Sequence, residues 1–229
     1  MKKIMFSLMF IVLGTIGLVA QDQDRTRDRL MLVDGDVLQI RDQDQIRLHD
    51  KIALNDGTVV NPDGTYITKD QDRLRLRDGS CLDSDGNFYK NEYQYRYKIK
   101  QEDKNLTPEQ AQARNQNRYQ LMMIDGEVYQ LKTQSQNKLQ NQFKLNNGTV
   151  VNPDGTYQNQ NMAQLRLKDG ECLNIDGEKF KNTYMHQKKI ANKNMNAKKN
   201  MNVKKNMIKK SVQKKVNVKK SIKKGVGRK

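Results

Sequence analysis

Asn55-Asp56-Gly57-Thr58-Val59-Val60-Asn61-Pro62-Asp63-Gly64-Thr65-Tyr66 decides the reading of this chain. Asp-Gly pairs tolerate the positive φ that tight hairpin turns need, and they are the strongest short-range hairpin signal. Between the two turns lies Thr58-Val59-Val60, a run of β-formers too short to stand without neighbours. The segment therefore predicts antiparallel ribbon. Moving outward, Arg73-Leu74-Arg75-Leu76-Arg77 alternates strictly, which gives a strand one apolar and one cationic face.

The same stretch returns 91 residues later as Asn146-Asn147-Gly148-Thr149-Val150-Val151-Asn152-Pro153-Asp154-Gly155-Thr156-Tyr157. Leu74-Arg75-Leu76 returns as Leu165-Arg166-Leu167, Cys81-Leu82 as Cys172-Leu173, and Asp34-Gly35 as Asp125-Gly126. A gapless match of this length marks a duplication. Within each copy a looser beat of 22 residues places an Asp-Gly or Asn-Gly two positions after a Leu or Met. The expected fold class is all-β: two small antiparallel hairpin-meander domains, at residues 29–93 and 120–184, with barrel, roll and solenoid all open. Residues 94–119 read as a polar linker. Thr107-Pro108-Glu109-Gln110 gives it a capping signature, and a short helix is expected from Pro108 to about Tyr119.

At the front, Lys2 and Lys3 precede an apolar stretch ending at Ala20, and the chain turns polar at Gln21. That order reads as a secretory signal over residues 1–20, against the alternative of a retained anchor. The expected location is the periplasm or the extracellular space, peripheral to the envelope. At the back, residues 186–229 carry 16 lysines, one arginine and no Asp or Glu. Those 17 charges equal the whole-chain net charge of +17, so the remainder is close to neutral. The lysines are Lys188, Lys189, Lys193, Lys198, Lys199, Lys204, Lys205, Lys209, Lys210, Lys214, Lys215, Lys219, Lys220, Lys223 and Lys224, with Lys229 at the end. Such a composition favours a disordered tail. A polycation of this kind binds an anionic membrane surface, an envelope polymer or, without sequence preference, nucleic acid; the bland reading is a solvated tail with no partner.

The order of turns resembles the DUF6799 domain of secreted bacterial proteins. The motif stands as Met31 to Gly35, Leu54 to Thr65 and Leu76 to Gly86, and again as Met122 to Gly126, Leu145 to Thr156 and Leu167 to Gly177. The resemblance implies export and a small β domain, and it supplies no catalytic residues.

Cys81 and Cys172 occupy one repeat position and admit three readings: a disulfide between copies, small buried side chains on strands, or a dimer-forming thiol. Asp83-Ser84-Asp85-Gly86-Asn87 begins like a calcium loop, but the sixth and twelfth positions hold Phe88 and Gln94 where Gly and Glu are required. It reads as a turn. His49 and His186 lack a recurring acid and nucleophile. No enzyme activity, metal or cofactor is expected. A second reading makes the β domains a glycan- or protein-binding module, for which Tyr66, Tyr157, Tyr89 or Phe180 would have to line an open groove.

Overall fold

A computed structural model describes residues 27–116, 118–199 and 201. The expected signal at 1–20 and the lysines from Lys204 onward lie outside the described residues. In the first copy the strands are β1 (Arg29–Val33), β2 (Asp36–Arg47), β3 (Ile52–Ala53), β4 (Val59–Val60), β5 (Thr65–Ile67), β6 (Arg73–Arg75), β7 (Cys81–Asp83) and β8 (Phe88–Tyr89). Helices α1 (Glu92–Asp103) and α2 (Pro108–Asn115) follow. The second copy repeats the order as β9 (Tyr119–Ile124), β10 (Glu127–Lys138), β11 (Phe143–Lys144), β12 (Val150–Val151), β13 (Thr156–Gln158), β14 (Gln164–Arg166), β15 (Cys172–Asn174) and β16 (Lys179–Phe180). A third helix, α3, covers residues 183–199.

The eight-stranded sheet runs β16-β15-β1-β2-β10-β9-β7-β8, and each copy also forms a four-stranded sheet, β3-β4-β5-β6 or β11-β12-β13-β14. The order of the large sheet is a palindrome in which the copies exchange partners. Strand β1 pairs with β15 of the other copy, and β9 pairs with β7. Cross-copy bonds obey the same symmetry: Gly79 N donates to Met123 O and Gly170 N to Leu32 O, both at 2.9 Å. The two sequence repeats are therefore halves of one interleaved body, and the sheet is left open between β16 and β8.

This topology explains why β1 and β9 read as almost unbroken apolar runs. Both faces are covered, as in buried strands generally. Leu30 and Leu32 face one side, where they pack with Leu145, Val151, Tyr157 and Leu167 of the second copy. Met31 and Val33 face the other, with Cys172, Leu38 and Ile40. The mirror cluster joins Leu121, Met123 and Val128 to Leu54, Val60, Tyr66 and Leu76 of the first copy. Each small sheet thus closes the core of the other copy's first hairpin. At Gly64 (φ +84°) the chain comes so near that a Cβ would lie 2.7 Å from the Met123 methyl; at Gly155 it would lie 2.8 Å from a Leu32 methyl. Both the positive φ and the close approach require glycine there.

Helix α2 forms where Thr107 and Gln110 predict it, with the reciprocal cap in place, and ends at Asn115. Two helices were not expected. Helix α1 occupies the first part of the polar linker, and α3 overruns the start of the basic tail. Asn91 Oδ1 accepts from Gln94 N and Asn182 Oδ1 from Met185 N, so both helices start on the same side-chain cap. The α1 side chains that go inward are Glu92, Tyr95, Arg96 and Ile99. Half of them are charged, so no apolar stripe announces the helix.

Candidate functional site

The long strands β2 and β10 pair across a pseudo-twofold axis. The register runs Lys132 with Asp44, Thr133 with Asp42, and Ser135 with Arg41, so Gln43 and Gln134 are skipped. These are equivalent residues of the two copies, and Asp42 lies opposite its own counterpart, Thr133. The paired bulges shift the inward-facing set, from Leu38, Ile40 and Asp42 before the skip to Gln45 after it.

Around the axis the two copies carry different chemistry. The first supplies Arg29, Asp42, Glu92 and Arg96, all with fully buried side chains. Arg29 bonds both Asp42 and Glu92. Arg96 Nη2 reaches Asp42 Oδ1 at 3.1 Å, its Nε donates to Glu92 Oε1 at 2.9 Å, and its Nη1 donates to Thr133 Oγ1 at 2.9 Å. The second copy has Gln120, Thr133, Thr183 and Gln187 at these places, and Gln187 Nε2 donates to Asp42 Oδ2 at 2.9 Å. Burial opposes ionisation of Glu92, but Arg29 and Arg96 outweigh it and hold the carboxyl down at about 2. Burial likewise opposes the Arg29 charge, and Asp42 and Glu92 hold it raised. Two cations and two anions cancel without solvent, so the network fixes how the copies meet.

Next to it a cleft of about 420 Å³ straddles the axis. Its walls are Asp78, Gly79, Lys90, Asn91, Glu92 and Tyr93 together with their six repeat counterparts, Asp169, Gly170, Lys181, Asn182, Thr183 and Tyr184. The Tyr184 ring covers Gly79 and the Tyr93 ring covers Gly170. Lys90 and Lys181 are exposed beside the capped starts of α1 and α3. The cleft combines donors and carboxylates and contains no histidine.

The lysines that begin the tail are on α3. Thr183, His186, Gln187, Ile190 and Ala191 are buried against the body. Lys188 Nζ bonds Asp125 Oδ1 at 2.6 Å and Lys189 bonds Glu178, tying down the first turns. From Met195 to Lys199 every residue is exposed. Lys193, Lys198 and Lys199 are exposed as well, so the helix leaves the body carrying its charge outward.

The other sequence candidates fall apart spatially. Cys81 and Cys172 are free and fully buried in separate clusters, one with Tyr95 and Met122 and the other with Met31 and Ile40. They are not bonded to each other, as strands β7 and β15 lie near opposite edges of the large sheet. Burial pushes the Cys172 thiol up to about 12 and the Cys81 thiol well up. The oxygens of Asp83 accept from Asp85 N, Asn87 N and Nδ2, and Tyr89 OH, so the loop that resembled a calcium site is saturated by its own donors. Among the described residues no group of three or more His, Cys, Asp or Glu could hold a metal ion, and no helix is long and apolar enough to cross a membrane. Tyr66, Tyr157 and Tyr89 are core residues, and Phe180 is half-buried against the Cys172 cluster. Tyr157 nonetheless reaches an open groove of about 710 Å³, which it lines with Val150, Gln158, Leu165 and Arg166. His49 is exposed, and the His186 ring packs edge-on against Phe180 at 5.1 Å.

What sequence reasoning missed is the axis. Its signal was present in the positions where the copies differ, Arg29 against Gln120, Asp42 against Thr133, Glu92 against Thr183 and Arg96 against Gln187. A family model described as a domain of unknown function, DUF6799, matches residues 27–88 and 118–178. No curated protein and no solved structure matches the chain.

Proposed function

The chain belongs to the DUF6799 family, in two copies, and from its geometry we propose that it is an exported tethering protein. In this reading the interleaved copies form one rigid body, and α3 with the lysine-rich chain after it attaches that body to anionic material at the cell envelope. The observation that carries the reading is the departure of α3 from the body beyond Asn194, with five exposed residues and only positive charge. Near an anionic membrane each lysine contributes about 1 kcal/mol, so even part of the tail suffices for salt-sensitive attachment. The body contributes little attraction of its own, being nearly neutral.

Purified protein is mixed with a panel of polyanions, including vesicles rich in anionic lipid, at low and high salt. Capture at low salt that is lost at high salt is expected, and it should vanish when every lysine beyond Asn194 is replaced by glutamine. Absence of binding to any polyanion at low salt refutes the tether. A second reading rests on the axial cleft, whose duplicated walls favour a small polar ligand presenting similar groups in two directions. Perturbation of Tyr93 and Tyr184 resonances together on adding such a ligand would support it.

A further inference from the structure

Three glutamines set the second small sheet apart from its counterpart in the first copy. The open groove on this sheet runs from Gln142, just before β11, across β12 and β13 to Arg166 on β14. Val150, Gln158 and Gln164 stand in register across β12, β13 and β14, and Thr156 pairs with Arg166 in the next row. Six of the nine residues that line the groove are the same in the first copy. The three that differ are all glutamine: Gln142, Gln158 and Gln164 stand where the first copy has Lys51, Ile67 and Arg73. We infer that the groove binds a neutral polysaccharide, whose hydroxyl groups are read by these three carboxamides. The site lies wholly within one sheet and works without the basic tail.

Charge selects against an acidic ligand. The equivalent surface of the first copy carries Lys51, Arg73 and Arg75, whereas Arg166 is the one charge among the residues that line the groove. A cleft of one sign concentrates ligands of the other, and two of those three cationic positions are amides in the second copy. A carboxamide offers two donors and an acceptor, and a sugar hydroxyl both donates and accepts. Gln142 and Gln164 are exposed, and their amides bond nothing among the described residues. Gln158 is half-buried and donates from Nε2 to Met162 O at 3.4 Å, which leaves its oxygen for a ligand. Half-buried Val150 and exposed Leu165 add an apolar patch suited to the C–H face of a sugar ring.

Direction selects against a peptide. An extended peptide adds as a strand along a free sheet edge, here β14, through backbone bonds. Such a strand would lie beside Gln164 and one strand spacing further from Gln158. The row of glutamines runs across the strands instead, so a chain of sugars lying in the groove reaches every one of them.

The test follows the side-chain amide resonances of Gln142, Gln158 and Gln164 in the full chain during titration with a neutral glucan hexasaccharide and a neutral mannan hexasaccharide. Parallel arms use a polygalacturonic hexasaccharide and an uncharged peptide of strand length. The three amides should shift together with at least one neutral sugar. A dissociation constant of about a millimolar is expected, since an open groove must order exposed side chains. The triple variant Gln142→Lys, Gln158→Ile, Gln164→Arg, followed at the Thr156 backbone amide, should bind that sugar about tenfold more weakly or worse through lost hydrogen bonds. Its circular dichroism should stay that of the wild type, because the first copy holds the same residues on the same fold. Gln164→Arg alone, on the exposed edge strand, should weaken the neutral sugar by a smaller factor and strengthen the acidic one. No shift with either neutral sugar at about 10 mM, undiminished binding by these variants, or equal or tighter binding of the acidic sugar or the peptide overturns the proposal.

Discussion

Asp42 and Thr133 face each other at the centre of the β2–β10 ladder, the same repeat position occupied by a carboxylate in one copy and a hydroxyl in the other. Arg96 spans the two, donating to Asp42 Oδ1 and to Thr133 Oγ1. A single anion at the axis is matched by the guanidinium groups beside it. Two would face each other without water.

Removing one member of this network should cost about 3–5 kcal/mol, the usual penalty for stranding a buried charge. Arg96→Met leaves Glu92 and Asp42 each short of a donor. Asp42→Asn leaves two arginines with Glu92 alone. Both variants should show a large drop in the urea midpoint, whereas Arg73→Met on the exposed strand β6 should change it by no more than about 0.5 kcal/mol.

Acid should act through Glu92. Its folded pKa of about 2 lies below the ordinary value of 4.5, so its contribution is complete above pH 4.5 and is lost as pH falls toward about 2. The unfolded chain binds the proton first in that window, which lowers stability by an amount on the order of 3 kcal/mol. Urea unfolding followed from pH 6 to pH 2.5 should show this slope, and Glu92→Gln should flatten it while lowering stability at neutral pH.

The two glycines at Gly57 and Gly64 separate backbone strain from crowding. Both have positive φ, but a Cβ at Gly57 meets nothing within 4 Å, and one at Gly64 meets Met123. Gly64→Ala should therefore lower the melting temperature more than Gly57→Ala. Met123→Ala combined with Gly64→Ala should cost less than the sum of the single changes, since the clash is shared across the copies.

Both thiols should be inert in the native state. Raised pKa values and complete burial remove the thiolate and the access that alkylation needs. Mass spectrometry after iodoacetamide should show no label until denaturant is added, then two labels. Native labelling of Cys81 alone would mean that its edge of the sheet opens locally.

Separated copies should not fold alone. A chain cut between α2 and β9 leaves β1 without β15 and the first small sheet without Leu121, Met123 and Val128. Circular dichroism of each piece should show little ordered sheet, and mixing them should restore the spectrum at a 1:1 ratio.

The hairpins were legible because their turns are local: Asp-Gly specifies the bend wherever it falls, and the 22-residue beat locates each ribbon. The capping signature of Thr107 and Gln110 was equally local and placed α2 correctly. Partner choice was not legible. Strands β7 and β15 look alike, as do β1 and β9, so periodicity cannot tell pairing within a copy from pairing across copies. Helix α1 was hidden for a different reason. Arg96 and Glu92 belong inside only because Arg29 and Asp42 meet them there, across separations of tens of residues. The start of the tail was misread likewise, since Ile190 and His186 find their places on a sheet that the composition of 186–229 does not reveal.

A polypeptide emerging from the ribosome in order meets a waiting period built into this exchange of partners. When the first copy has been synthesised, Leu30, Leu32 and Val37 are already in solvent, and the Leu145, Val151 and Tyr157 that cover them have not yet been made. Long-range pairing of this kind is slow and leaves apolar surface open to wrong encounters. A holding factor during synthesis would be most useful over that interval, before residue 175 has joined the chain.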